Sequence, residues 1–402
     1  MAIERFALGD PAEAAARVRA LAPGAASVTE AVAAIVADVR EHGDEALLRY
    51  VERFDGASGP LRPAPVSPDT LAPDVRAGLQ VAIANVRAVA EAGIDHERGV
   101  ILPEKHTVTL REVPVRRAAI YVPGGRAPYP STVVMGVVTA RAAGVDEVVV
   151  CAPGAHPLIL AACALCGADA VYSMGGAHAI AALAYGTESV PRADVIAGPG
   201  NLYVQEAKRL VSGDVGIDGF AGPSDVLVVA GAEADPVLVS IDLSAQAEHG
   251  EGTIVCAVSD DPALLDALEV DPGDAAAALV DAPDLEAALA FAEVFAPEHL
   301  ELVGPRAEAL APRVRNAGCL FVGRESATAF GDYVAGSNHT LPTGGAARFA
   351  SGLNVRHFRR RMAEVRIGRA AGVLARSGAP IARAEGFDVH AASMEVRENQ
   401  QR

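Results

Sequence analysis

Between Arg117 and Val211 the chain repeats one unit: a short apolar run, a turn rich in Gly and Pro, then a helical stretch. Arg117–Val122 runs into Pro123-Gly-Gly125, Glu147–Cys151 into Ala-Pro-Gly154, Ala170–Ser173 into Gly175-Gly176, and Asp194–Ala197 into Gly198-Pro-Gly-Asn201. Helices are expected at Ser131–Gly144, Pro157–Gly167, Ala179–Tyr185 and Leu202–Val211. Strict alternation of this kind predicts parallel strands with helices on both faces. In open parallel sheets, ligands bind beyond the carboxyl ends of the strands, where these turns fall.

A second round follows. Asp225–Ala230 reads as a strand, and Pro236 opens a helix that ends near Gly250. Thr253–Val258 is a strand and Pro262–Leu268 a helix. Helices at Leu285–Phe295 and Ala307–Asn316 lead to a strand at Cys319–Gly323. Upstream, Ser27-Val-Thr-Glu30 fits a capping box, His42-Gly43-Asp44 breaks the helix it starts, Asp44 can cap a second one from Glu45 to Phe54, and a third runs from about Pro73 to Ala92. The basic tail at Arg356–Arg369 is expected to be helical. With 402 residues the chain exceeds one ordinary core. The expected class is α/β: two Rossmann-like lobes with parallel-sheet cores, plus a helical N-terminal and a small C-terminal extension. The expected division is 1–26 as N-terminal extension, 27–122 with 224–352 as one lobe with a helical cap, 123–223 as the other lobe, and 353–402 as a dimerisation tail.

A formal charge of −17 without a compensating basic run argues against a nucleic-acid surface. The five cysteines, mostly inside apolar runs, read as reduced buried thiols; Cys163 and Cys166 have redox spacing but sit in a buried helix. The first residues lack a basic segment followed by an apolar one, and no run of about 20 apolar residues suggests a membrane span. A cytoplasmic location is therefore expected.

Gln246 and His249 stand three apart near a helix end and share a face. Glu298-His299 sets a carboxylic acid beside an imidazole, a pair suited to acid–base work. The polar, Gly-rich loop Gly331–His339 adds Asp332 and His339, and Glu385–His390 supplies another acid and imidazole. Gln246, His249, Asp332 and His390 form a mixed nitrogen and oxygen set that suits zinc, or manganese as a substitute; without thiolates it reads as catalytic. No Gly-x-Gly-x-x-Gly or Walker motif occurs, so a dinucleotide must use the turns at Tyr121–Gly125, Gly175–His178 and Gly198–Asn201.

Tyr121-Val-Pro-Gly-Gly, Gly175-Gly-Ala-His-Ala-Ile-Ala-Ala-Leu-Ala184, Tyr185-Gly-Thr-Glu-Ser-Val-Pro191, Gly198-Pro-Gly-Asn201, Ala221-Gly-Pro-Ser-Asp225, Gln246-Ala-Glu-His249, Ala296-Pro-Glu-His299 and Gly331-Asp-Tyr through His339-Thr-Leu-Pro342 occur in the order seen in histidinol dehydrogenases. Over roughly residues 30–395 the chain resembles that family. The resemblance implies a zinc-dependent homodimer that oxidises L-histidinol through histidinal to L-histidine with two NAD and one water, in the last steps of histidine biosynthesis. It implies zinc on Gln246, His249, Asp332 and His390, the last from the partner subunit. Substrate contacts would fall to Ser224, His299, His339 and Glu385 with the zinc ligands, NAD contacts to Tyr121, His178 and Asn201, and catalysis to Glu298 and His299.

Some positions depart from the family pattern. His178 stands where Gln is usual, Ala245 where Ser is usual, Asp225 where Glu is usual, and the stretch at Asn85–Ala90 is plain. Two rival readings share the scaffold: a dehydrogenase of another small alcohol such as a sulfonated diol, and a catalytically silent binding protein.

Overall fold

Both parallel sheets implied by the alternation are present in the computed structural model, which describes residues 3–22, 27–56, 59–124, 127–220 and 222–399. Gly125 and Ala221, parts of two motifs above, lie outside the described residues. The chain divides into two units: residues up to Gly93 with Val115–Phe358, and Ile94–Pro114 with the residues from Arg359 on.

The smaller sheet of the first unit has the order Ala170–Tyr172, Glu147–Cys151, Arg117–Tyr121, Val195–Ala197, Gly216–Ile217, all parallel. The chain begins at the centre, moves out one way, then crosses over and moves out the other. This reversal places a crevice beside the end of Arg117–Tyr121. The helix Thr29–Tyr50 kinks at Gly43 and packs its Val32, Ile35, Val36 and Val39 into the core of this sheet. It starts at Thr29, with Val28 in the capping position and no side-chain cap, so the expected capping box does not form. Asp44 caps nothing there; it accepts instead from the main-chain N–H of Ser189 at 3.2 Å.

The larger sheet is also parallel, in the order Glu4–Ala7, Ala276–Asp281, Ile254–Ser259, Asp225–Ala230, His299–Val303, Cys319–Val322. Three of its strands do not emerge from sequence reading. Half of Ala276–Asp281 is alanine, which carries little strand preference; its neighbours on both sides impose the strand. His299–Val303 follows the Glu298 carboxyl with no strand expected there, and Glu4–Ala7 falls in the expected N-terminal extension. Both faces of this sheet are buried, which is why its strands lack polar alternation.

The second unit pairs Arg98–Ile101, Thr107–Pro114 and Arg359–Arg366 in an antiparallel sheet and adds the helices Ala371–Ala384 and Asp388–Asn399. The basic segment expected to be helical is thus a strand over Arg359–Arg366. Two of its residues meet opposite charges on the partner strand: Arg361 pairs with Glu112, and Glu364 with Arg111.

Candidate active site

A chain of hydrogen bonds runs across the amino ends of the central strands of the larger sheet. Gln246 Nε2 donates to Ser224 Oγ at 2.6 Å, and Ser224 Oγ donates to Glu298 Oε2 at 2.5 Å. The same Glu298 oxygen accepts the N–H of Asp225 at 3.1 Å, while Asp225 Oδ1 accepts the N–H of Glu298 at 2.7 Å. Two neighbouring strands thereby clasp each other at their first residues. Asp225 is fully buried and its second oxygen faces Arg19, whose guanidinium lies 4.0 Å from the Phe295 ring centroid.

Beyond this clasp lie three imidazoles and a carboxylate. His299 Nδ1 donates to the Asp225 carbonyl at 3.3 Å, which leaves Nε2 as the acceptor, 3.8 Å from Asp332 Oδ1. His249 Nδ1 donates to the Gln246 carbonyl at 3.0 Å, so its Nε2 also keeps a free lone pair. Burial, reinforced by His249 and His339, pushes the His299 imidazole down to about 3; burial and His249 push His339 down to about 4. Both rings are neutral at pH 7. Burial pushes Asp332 up to about 6, against the opposing pull of His249. Burial and then Asp225 push Glu298 well above the carboxylate range, against the hydrogen bonds from Ser224 and Asp225.

This cluster lies at the amino ends of its strands. Here the helices arrive by their C-termini. Pro236–Ala247 ends beside Gln246 and His249, Leu285–Phe295 ends just before Glu298, and the short helix Thr328–Tyr333 carries Asp332 in its last turn. Asp332 is therefore on a helix and not in the loop expected for it. Helix C-termini and carboxylates favour a cation.

The carboxyl ends of the smaller sheet carry the opposite arrangement. A cavity of about 820 Å³ is lined by Phe54, Asp55, Tyr121, Pro153, His178 and Asn201, among others. Helices start here, at Gly176 and Leu202, so the field of their N-termini is opposite in sign to that at the other cluster. Gly198 (φ +120°) passes so close to Tyr121 that a Cβ there would lie 2.1 Å from the Tyr121 carbonyl oxygen. Its N–H donates to Asp218 and its carbonyl accepts from the buried Lys208, a clamp that fixes the turn bearing Asn201.

The structure thus gathers Ser224, Gln246, His249, Glu298, His299, Asp332 and His339 in one place and Tyr121, His178 and Asn201 in another. Glu385 and His390 belong to the second unit, where both are exposed and His390 packs on Phe387 at 5.2 Å. Among the described residues of this chain, no three His, Cys, Asp or Glu side chains gather to hold a metal. Sequence reading missed Asp55, Arg19, Lys208 and Asp218; Asp55 and Arg19 act on residues more than 100 positions away, and Lys208 and Asp218 meet across a helix and the turn that follows it, so no local motif marks any of them.

Two parallel α/β lobes with a nucleotide-sized cavity in one and a polar, cation-favouring cluster in the other define a dehydrogenase-like architecture. The profile of the family described as histidinol dehydrogenase matches residues 21–398. A histidinol dehydrogenase of Thermus thermophilus is 43% identical over 92% of this chain and 95% of its own length. One from Pseudomonas putida is 40% identical over 92% of this chain and 91% of its own. The crystal structure of histidinol dehydrogenase from Elizabethkingia anophelis superimposes with a TM-score of 0.92, at 28% identity, over 99% of this chain and 98% of that one. The chain belongs to the histidinol dehydrogenase family and is an oxidoreductase. Among the described residues, no helix is long and apolar enough to cross a membrane.

Proposed function

We propose that the protein oxidises L-histidinol to L-histidine through L-histidinal, the closing reactions of histidine biosynthesis, as a zinc-containing, NAD-linked homodimer. The observation that carries this reading is the cluster of Gln246, Ser224, Glu298, His299, His249 and Asp332 in a chain of this family.

The donor chemistry of the cluster fits zinc. With Gln246 Nε2 committed to Ser224, the amide oxygen remains as a donor; His249 keeps Nε2, and Asp332 keeps its carboxylate. These three would hold the metal with a fourth ligand, His390, from the partner subunit. Bound zinc supplies a template that orients the amine and imidazole of the substrate and stabilises developing negative charge on oxygen. The 820 Å³ cavity fits a dinucleotide, and NAD supplies the hydride acceptor for both oxidations.

The chain's own side chains supply the rest. His299, buried and neutral, presents Nε2 as the base that takes the alcohol proton. Burial holds the Glu298 carboxyl well above its usual range, and a cationic substrate beside it would favour the carboxylate. As carboxylate it takes a proton from the water that adds to the aldehyde, and Ser224 holds it in place. Two adjacent bases with separate partners suit two successive oxidations. His339 and Asp332 would bind the polar groups of the substrate, and Glu385 is the further contact expected for it. The test is the yield of NADH per L-histidinol consumed by zinc-reconstituted protein. The expected yield is two; no NADH with histidinol but turnover of another small alcohol would overturn the substrate.

A further inference from the structure

The floor of the 820 Å³ cavity carries an acid that the reaction does not use. Asp55 ends the π-helical turn Val51–Asp55, and only 8% of its side chain is exposed. One of its oxygens, Oδ2, is saturated: it accepts the Gly175 N–H at 2.9 Å and His178 Nε2–H at 3.1 Å. The other, Oδ1, accepts nothing among the described residues. It lies 3.2 Å from where a side chain on Gly175 would begin, and Asp55 and Gly175 both line the cavity.

His178 holds this geometry. It is 2% exposed, stacks with Tyr50 at 5.9 Å and contacts Phe54 at 6.0 Å. Donating to a carboxylate fixes its tautomer with the proton on Nε2. The helix start at Gly175–Gly176 would otherwise offer its N–H groups to a phosphate. Here Asp55 takes one and the Tyr121 hydroxyl takes the other at 3.0 Å. A carboxylate therefore occupies the anion position, and the acceptor it leaves free asks for neutral donors. A half-exposed Phe54 ring on the same wall gives an aromatic base a face to stack on.

We propose that Asp55 is the residue that selects the cofactor: its free oxygen accepts a ribose hydroxyl of an adenine nucleotide and excludes the 2′-phosphate ester of that nucleotide. His178 is the positioning residue that keeps Asp55 in place by donating to it, a donation that an amide N–H can also make. The proposal rests on the reading of this cavity as the NAD site.

The experiment is calorimetric titration of the full-length protein with NAD and NADP, without histidinol. The wild type is expected to bind NADP at least about tenfold more weakly than NAD, and Asp55→Asn to weaken NAD and bring the two to within about threefold, since tenfold corresponds to one ion-contact-sized difference. His178→Gln is expected to retain the wild-type preference, and His178→Leu to shift it as Asp55→Asn does. Asp55→Glu, which keeps the charge and moves the oxygen, is expected to weaken NAD while still rejecting NADP. An unchanged NAD to NADP ratio in folded Asp55→Asn, or in Asp55→Glu a gain of NADP binding, overturns the proposal. A wild type that binds neither nucleotide overturns the cavity reading and the proposal with it, whereas NAD binding without discrimination overturns the proposal alone.

Discussion

The hydroxyl and the main-chain N–H of Thr328 both donate to one carboxylate oxygen of Glu301, a side chain only 1% exposed in the strand His299–Val303. Glu301 lies two residues after His299. Thr328 lies one helical turn before Asp332, and Asp242, the charge that acts on Glu301, lies one turn before Gln246. One buried carboxyl thus joins the strand that carries His299 to the helix that carries Asp332, and it feels the charge on the helix that carries Gln246.

That placement has a pH signature. Burial, then Asp242, pushes Glu301 up to about 7 from an ordinary 4.5. Below about pH 4.5 both folded and unfolded chains hold the proton. As pH rises from there to about 7 the unfolded state loses it first, so the contribution to stability falls, by roughly 3 kcal/mol in all. Glu301→Gln keeps an acceptor for Thr328 and cannot ionise. Urea unfolding at pH 5 and pH 7.5 is expected to show a smaller pH difference for this variant than for the wild type. An equal difference would mean that Glu301 titrates normally.

Lys208 is buried against Asp218 at 2.7 Å, and the pair grips both sides of the Gly198 peptide. Lys208→Met leaves Asp218 buried without its counter-charge and is expected to cost about 3–5 kcal/mol. Lys208→Met with Asp218→Leu is expected to recover part of that loss. NAD binding is expected to weaken in both, because the turn that presents Asn201 loses its clamp. Unfolding midpoints and nucleotide titration check the two effects separately.

Gln246→Ala and His249→Ala are each expected to lose zinc, with affinity falling at least about tenfold in a chelator competition, as removal of a ligand requires. Overnight dialysis against a chelator is expected to abolish NADH formation in the wild type, and zinc to restore it. Wild-type zinc affinity in both variants would sink the ligand assignment.

Glu298→Gln preserves the acceptor that Ser224 and the Asp225 N–H use. It is expected to keep zinc and to slow the aldehyde oxidation by about 100-fold or more, the usual scale for a missing general base. Histidinol oxidation is expected to fall less, because His299 is intact. Single-turnover measurements with histidinol and histidinal separate the steps, and equal slowing of both would remove the assigned role.

Short-range order was legible in the residues themselves. Leu202–Val211, Asp225–Ala230, Leu285–Phe295 and Pro73–Ala92 have the bounds their apolar periodicity and flanking Gly, Pro and Asp residues imply. The motifs at Gln246–His249, Ala296–His299 and Gly331–His339 were legible too, as was the α/β class. These features depend on neighbours within a few residues, where side-chain spacing and turn chemistry act directly.

Tertiary structure alone decided what those residues do to one another. Arg359–Arg366 is a strand because Thr107–Pro114 pairs with it, far away along the chain. Ser224 and Glu298 meet from positions 74 residues apart, and Asp55 and His178 from positions 123 apart. The polar cluster lies at the amino ends of the strands because strand order and helix direction put helix C-termini there, and their field favours a cation. Hydrogen bonds and burial between distant segments leave no periodic mark in a sequence, so the electrostatic character of each site, and the partners that set it, exist only once the chain has folded.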